Sequence, residues 1–139
     1  MRMPELTDSR LARPSGAARP AQVVAASAAI CEAPDPSARL ATPALLGEIL
    51  DVFDTNGAWS RVRCRRDHYV GWVTTDSLSP AITTPTHKVS ALRTFAYAAP
   101  DLKSPVNATL SLGAQLTITG QDGDYARSEQ VGWIHARHL

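Results

Sequence analysis

The sequence predicts an all-β protein made of two small barrels in tandem, and three observations carry that prediction. The first is an internal repeat. A shift of 66 residues places Ala33-Pro34-Asp35 on Ala99-Pro100-Asp101, Leu46-Gly47 on Leu112-Gly113, Leu50 on Leu116 and Val52 on Ile118. The same shift puts Trp59 on Tyr125 and Arg61 on Arg127. After a gap of five residues in the second copy, Val70-Gly71-Trp72-Val73 falls on Val131-Gly132-Trp133-Ile134, and Leu78 on Leu139. Two copies make twin globular units rather than a solenoid. The second observation is alternation of apolar and polar residues within each copy, the pattern of half-buried strands. The third is a turn signal after each such stretch, Asp54-Thr55-Asn56-Gly57 in one copy and Gly120-Gln121-Asp122-Gly123-Asp124 in the other.

Taken in order, residues 1–21 form an irregular N-terminal arm, rich in proline, arginine and alanine. The first domain spans residues 22–79. Its opening half, "CEAPDPSARLATPALLGE", has no helical periodicity and reads as a long proline-rich loop. In "EILDVF", Leu50 and Val52 share a face and predict a strand. The turn at Asn56-Gly57 sends the chain back through "AWSRVRC", making a hairpin, and "VGWV" supplies a further strand. A short 3-10 turn is expected at Thr74-Thr75-Asp76-Ser77. Residues 80–87 lie in the proline- and threonine-rich stretch "SPAITTPTHKVS" and read as a linker. The second domain, 88–139, repeats the plan with loop "YAAPDLKSPVNATLSLGA", strand "QLTITG", return strand "YARSE" and a closing turn at His135-Ala136-Arg137-His138.

Composition bounds the function. The chain has 139 residues, with 14 Lys plus Arg, 13 Asp plus Glu and a net charge of +1. That balance argues against a nucleic-acid partner, which calls for a basic excess. Each unit is small, and a domain of about 60 residues buries only about 60% of the surface its unfolded chain exposes. Two cysteines, Cys31 and Cys64, are too few for a disulfide scaffold and show no zinc spacing. Prolines and charges interrupt the N-terminal segment before an apolar signal-peptide core can form. No apolar run reaches bilayer length. A soluble, cytoplasmic protein without cofactor, metal or membrane partner is the expectation.

Strand parity assigns faces. In "AWSRVRC", Val62 and Cys64 point one way, into the core, while Trp59, Arg61, Arg63 and Arg65 point the other. The basic run Arg61 to Arg66 is therefore a solvated face rather than a phosphate site. Trp59, with Tyr125 at its place in the second copy, is an outward aromatic open to two readings: a binding residue, or a ring covered by a neighbouring loop. Trp72 and Trp133 repeat after glycine and read as structural. His135 and His138 lack a third ligand and read as polar turn residues rather than a metal site.

A long loop, Leu-Gly before a strand, an aromatic opening the next strand, then Gly-Trp-aliphatic and a short turn ending in Leu: this order resembles bacterial SH3 (SH3b) domains. The tandem arrangement resembles the N-terminal half of NlpC/P60-family cysteine peptidases of the dipeptidyl-peptidase type, gamma-D-glutamyl-L-diamino acid endopeptidases. Thr7-Asp8-Ser9-Arg10-Leu11, "PTHKVSALRTF", "PDLKSP" through "LSLGAQLTITG" and the closing "ARHL" carry that resemblance. It implies two SH3-like barrels with short 3-10 turns. It also implies a role beside a papain-like catalytic domain whose nucleophilic Cys stands in an Asp-Cys-Ser context. Here Cys31 precedes Glu32 and Cys64 precedes Arg65, so neither fits, and the catalytic domain is expected to be absent from this chain.

In that family the first SH3b domain walls the cleft and admits peptidoglycan stem peptides with a free N-terminal L-Ala. Tyr69, before Val-Gly-Trp, resembles the family's wall tyrosine, and the second copy, with Gln130 there, lacks it. The structural alternative for Tyr69 is a strand aromatic covering a loop. Glu32 and Asp35 are candidates for the ammonium partner, with a turn-forming or solvated acid as the alternative reading. No catalytic residue is expected. The partners implied are an NlpC/P60 catalytic domain, in cis or separately encoded, and a muropeptide stem peptide. A second reading is a stand-alone cell-wall or protein-binding module that holds its ligand through Trp59, Tyr69 and Tyr125. A third, an adaptor for proline-rich segments, is disfavoured because the acidic cluster that reads a ligand's arginine is sparse.

Overall fold

The computed structural model describes residues 18–139. The described residues are all-β in class, and their strands pair antiparallel. The first sheet contains β1 (Arg19–Val23), β2 (Ser27–Cys31), β3 (Leu40–Leu45), β4 (Ile49–Asn56), β5 (Trp59–Cys64), β6 (Val70–Thr74) and β7 (Leu78–Ser79), in the order β3-β2-β6-β5-β4-β1-β7. After β8 (His87–Lys88), the second half provides β9 (Arg93–Tyr97), β10 (Val106–Ser111), β11 (Gln115–Leu116), β12 (Ile118–Asp122), β13 (Tyr125–Ser128) and β14 (Gly132–His135). Five of these form a sheet in the order β10-β9-β14-β13-β12, while β11 pairs with β8. Short 3-10 turns at Thr75–Ser77 and Ala136–His138 follow the last long strand of each half.

The all-β class is as the sequence predicts, but the barrels are open. In the first sheet β3 and β7 are outer strands that do not meet. Proline has no amide to give a ladder, and β3 carries Pro43, which suits an outer position. In the second half, β11 and β12 are separated at Thr117, whose amide donates to the side chain of Gln130 at 3.3 Å. Two further expectations are corrected. Arg19–Ala21 of the expected irregular arm are strand, in register with Leu50 to Val52 of β4; the stretch 1–17 lies outside the described residues. The two proline-rich loops each contain a strand, β3 and β10, pairing back on β2 and β9. Only Ala44 and Leu110 of these strands are buried, so the alternation that would reveal them is almost absent from the sequence.

The backbone hydrogen bonds recur at the 66-residue offset of the sequence. Gly47 N–H donates to Val23 O, and Gly113 N–H to Val89 O, both at 2.9 Å. Leu46 donates to Ala26 O and Leu112 to Leu92 O; Glu32 donates to Arg39 O and Ala98 to Pro105 O. The Gly-Trp element has a steric cause in both halves. A Cβ on Gly71 would lie 2.7 Å from the carbonyl oxygen of Cys31 on β2, and one on Gly132 would lie 2.4 Å from that of Tyr97 on β9. Glycine lets the strand of the preceding hairpin pass that close.

Two cores result. The first gathers Val23, Ile30, Leu50, Val52, Val62, Cys64 and Val73. The second gathers Val89, Ala96, Leu110, Leu116 and Ile134, and it also contains Leu46 from the first half, fully buried. The segment between the halves is tied down: the buried side chain of Gln22 accepts from Thr83 N–H at 2.8 Å and donates to Thr83 O at 2.9 Å.

Candidate functional site

The β5–β6 hairpin differs most between the halves. Val62 lies opposite Gly71, and Ser128 opposite Gly132, so the five extra residues of the first half extend this hairpin. Its four-residue tip is closed by Cys64 N–H to Tyr69 O and His68 N–H to Cys64 O, each 2.8 Å. His68 completes the turn at φ +63°, a left-handed conformation that a histidine side chain disfavours. The arginines of the basic run pin the tip to the sheet. Arg65 makes a two-pronged contact with Asp51, the shorter limb 2.8 Å. Arg66 donates to Pro43 O at 3.2 Å, and its Nε stands 3.4 Å from Glu48 Oε1, within ion-pair range but not aligned for a hydrogen bond. Glu48 Oε2 accepts the amide of Leu45 at 2.9 Å.

Tyr69 stands at the foot of this tip, half-buried, with its ring packed against the first core. Its own amide donates to Asp67 Oδ1 at 3.3 Å. Glu32 and Asp35 are exposed in the β2–β3 hairpin. Cys31 lies opposite Trp72, and the antiparallel register carries this hairpin toward the Val70 end of β6, the end that bears Tyr69. Asp35 is committed to its turn, accepting Ser37 N–H at 2.9 Å and Ser37 Oγ–H at 3.0 Å. These two bonds hold its carboxyl below the ordinary carboxylate value. Asp101 does the same for the amide of Lys103. Trp59 is not brought to the group. It lies opposite Thr74, five residues along β6 from Tyr69, which at about 3.3 Å per residue is roughly 16 Å away.

Trp59, Arg61 and Arg63 alternate with the buried Ser60, Val62 and Cys64, so the outward parity read from the sequence holds. Trp72 is directly opposite Arg61 and is half-buried on that outer side, not in the core. Cys64 is the buried thiol predicted. Burial, followed by the charges of Asp67 and Glu48, pushes it up to about 12, so it stays protonated and non-nucleophilic at neutral pH. Among the described residues no group of three or more His, Cys, Asp or Glu is placed to hold a metal ion.

Two features escape sequence reading. One is a cavity of about 330 Å³ between the halves, lined by Leu45, Glu48, Arg66, Lys88, Leu112, Gly113 and Gln115. The other is a row of rings across the outer face of the second sheet. Phe95 and Tyr97 lie 6.3 Å apart, Tyr97 and Tyr125 6.1 Å, Tyr125 and His135 5.5 Å, and His135 and His138 5.3 Å, all between centroids. The repeat signals only Tyr125; the other rings come from β9, β14 and the final turn, and β9 is not recognisable as a strand beforehand.

Residues 30–78 match the model of the bacterial dipeptidyl-peptidase SH3 domain. No curated protein matches the chain. Among solved structures, an NlpC/P60 family protein from Bacillus cereus ATCC 10987 is 20% identical with a TM-score of 0.66, over 86% of this chain and 55% of that one. NlpC1 from Trichomonas vaginalis is 16% identical with a TM-score of 0.41, over 99% of this chain and 50% of that one. The chain thus spans about half the length of the solved proteins it resembles. Within it, residues 30–78 carry the pattern of a bacterial dipeptidyl-peptidase SH3 domain, a non-catalytic module, and the fold is one shared with an NlpC/P60 family protein.

Proposed function

We propose that this chain is the non-catalytic tandem SH3b region that serves an NlpC/P60-type cell-wall peptide endopeptidase, with domains at 22–79 and 88–139, and that it gates access of muropeptide stem peptides bearing a free N-terminal L-Ala. The observation that carries this reading is the extended β5–β6 hairpin. It belongs to the first half alone, is pinned by Arg65 and Arg66, and has Tyr69 at its foot with the ring anchored on the core. An element that only gates must differ from its structural twin, and this hairpin does, with Arg65 and Arg66 tying its tip back to Asp51 and Pro43. Glu32, on the same end of the sheet, supplies an exposed carboxylate for the substrate ammonium group. Asp35, spent on its own turn, is the weaker partner. The peptidase domain is in cis or separately encoded, and the work is done in the cytoplasm, on recycled fragments.

The test is a titration of isotope-labelled protein with L-Ala-γ-D-Glu-diaminopimelate and with its N-acetylated form. Amide shifts confined to residues 64–70 and 31–36 that require the free amine support the gate. Equal response to both peptides, or none in the presence of an NlpC/P60 catalytic domain, sinks it. The competing reading, a stand-alone cell-wall or protein-binding module that uses Trp59, Tyr69 and Tyr125 together, is favoured by binding that is lost in Trp59→Ala and Tyr125→Ala as well as in Tyr69→Ala.

A further inference from the structure

We infer that Asn56 is a site of spontaneous covalent modification, an asparagine placed to cyclise on the amide of Gly57 and convert to aspartate and isoaspartate. The chain has two asparagines, and the structure treats them oppositely. Asn107 lies in β10, its carboxamide donates to Val131 O at 3.0 Å, and Ala108 follows it with a Cβ beside the amide that would have to attack. Asn56 ends β4 at the tip of the β4–β5 hairpin, exposed, with no side-chain hydrogen-bond partner among the described residues. Gly57, which follows it, is also exposed, and a Cβ built there would meet nothing within 4 Å. Glycine leaves the attacking nitrogen unshielded.

The step needs no reagent beyond water. The Gly57 nitrogen, having lost its proton to solvent base, attacks Asn56 Cγ; the new C–N bond closes a five-membered imide, and the side-chain nitrogen leaves as ammonia. Water then opens the ring at either carbonyl. One opening gives aspartate. The other routes the main chain through the side-chain carbon and adds a methylene to the backbone. The aspartate product has a precedent in the same molecule, because the 66-residue offset puts Asp122-Gly123 on Asn56-Gly57. Gly123 has φ +59° and Gly57 +63°, and Asp122 lies opposite Tyr125 as Asn56 lies opposite Trp59. Aspartate therefore fits this turn, and its charge cancels the net +1 of the chain.

The fold also sets the rate. Asn56 has the extended backbone of β4, and ring closure needs that backbone to rotate, so the reaction waits for local opening of the tip. Opening is opposed from the far side of the turn. Thr75 Oγ1 donates to Gly57 O at 3.1 Å, and Thr75 N–H donates to Ala58 O at 2.8 Å. A chain of hydroxyls then runs back to β1: Thr75 Oγ1 is 2.9 Å from Ser60 Oγ, Ser60 Oγ is 3.2 Å from Thr55 Oγ1, and Thr55 Oγ1 accepts from Arg19 at 3.0 Å. Thr75 is thus a latch on the tip, and the isoaspartate product, one methylene longer, pulls Gly57 away from it.

The experiment incubates the full chain at mildly acidic and mildly alkaline pH and maps the products by peptide mass spectrometry, with isoaspartate located by enzymatic methylation. Conversion of amide to acid at position 56 is expected to be at least tenfold faster than at position 107, faster at the alkaline pH because the attacking nitrogen must lose a proton, and to yield both products. Thr75→Val, which removes the hydroxyl tie and keeps the backbone one, should speed conversion at 56 several-fold and leave that at 107 unchanged. Asn56→Gln, exposed and too long to close the five-membered ring, should abolish it without moving the melting temperature. No conversion at 56 in the folded chain, equal rates at the two asparagines, aspartate without isoaspartate, or a rate at 56 that Thr75→Val leaves unchanged or raises only together with that at 107 would each overturn the assignment.

Discussion

The amide of Gln115 donates a 2.8 Å hydrogen bond to the carbonyl of Leu46, joining the second half of the chain to the turn that precedes β4. Gly47, next to Leu46, has φ +83°, and a Cβ there would lie 2.4 Å from the Gln115 carbonyl oxygen. Its repeat partner Gly113 has φ +93° but only the tip of Leu45 nearby, at 3.6 Å. Both glycines need the left-handed backbone, which costs other residues about 1–2 kcal/mol. Gly113→Ala should show that backbone cost alone in urea denaturation. Gly47→Ala should cost measurably more and displace the Gln115 amide resonance. Equal losses would mean the junction yields without strain.

Leu46→Ala tests the same junction from the packing side. The side chain is fully buried in the second core although its neighbours in sequence belong to the first sheet. A leucine-sized void of this kind costs about 2–5 kcal/mol. Methyl resonances of Val89, Leu110 and Leu116 should move, while those of Val62 and Val73 should not. Changes confined to the first sheet would refute the shared core.

Cys64 gives a pH prediction. Its thiol is pushed from an ordinary 9.0 up to about 12 in the fold. Above pH 9 the unfolded chain ionises while the folded chain keeps its proton, so the unfolded state binds fewer protons and stability falls as pH rises. The full contribution is present below pH 9 and is lost progressively toward pH 12, with a slope that approaches about 1.4 kcal/mol per pH unit. In Cys64→Val the part of the alkaline slope due to this thiol should vanish. Labelling by a disulfide reagent at pH 8 should track unfolding rather than thiol ionisation.

His68 is the non-glycine residue with positive φ among the described residues. Its ring contributes only a long 3.5 Å contact with Arg63. His68→Gly should therefore preserve stability or raise it by up to about 1 kcal/mol, whereas His68→Val, β-branched, should lower it by more than 1 kcal/mol. Hydrogen exchange at the Cys64 and His68 amides is the direct readout. A loss of stability in His68→Gly would show that the imidazole holds the hairpin tip.

The hairpins β4–β5 and β12–β13 were legible because Leu50 and Val52 alternate and Asn56-Gly57 and Asp122-Gly123 mark their turns, whereas the alternation of Leu116 and Ile118 runs across two strands, β11 and β12, that break at Thr117. The strands β2 and β3 were not, since their inward positions are alanines, Ile30 and Cys31, and the outward side includes a proline. The extended hairpin and Tyr69 were visible as the part of the repeat that fails to repeat. The register that separates Trp59 from Tyr69 is a property of β5 and β6 together, and no window of sequence contains it. The ring row was hidden for a related reason: three strands and a turn contribute to it, and Phe95 and Tyr97 are meaningful only once β9 is known to lie beside β14.

Synthesis runs from the N-terminus, so Leu46 leaves the ribosome well before Leu110, Leu116 and Ile134, the residues that enclose it. Until they follow, a large apolar side chain stays in water on an otherwise finished first sheet. The second half in turn closes around a residue made long before it. A ribosome-bound chain halted after the first half should therefore be a better chaperone substrate than one that extends through Ile134, because the enclosure of Leu46 waits for β14.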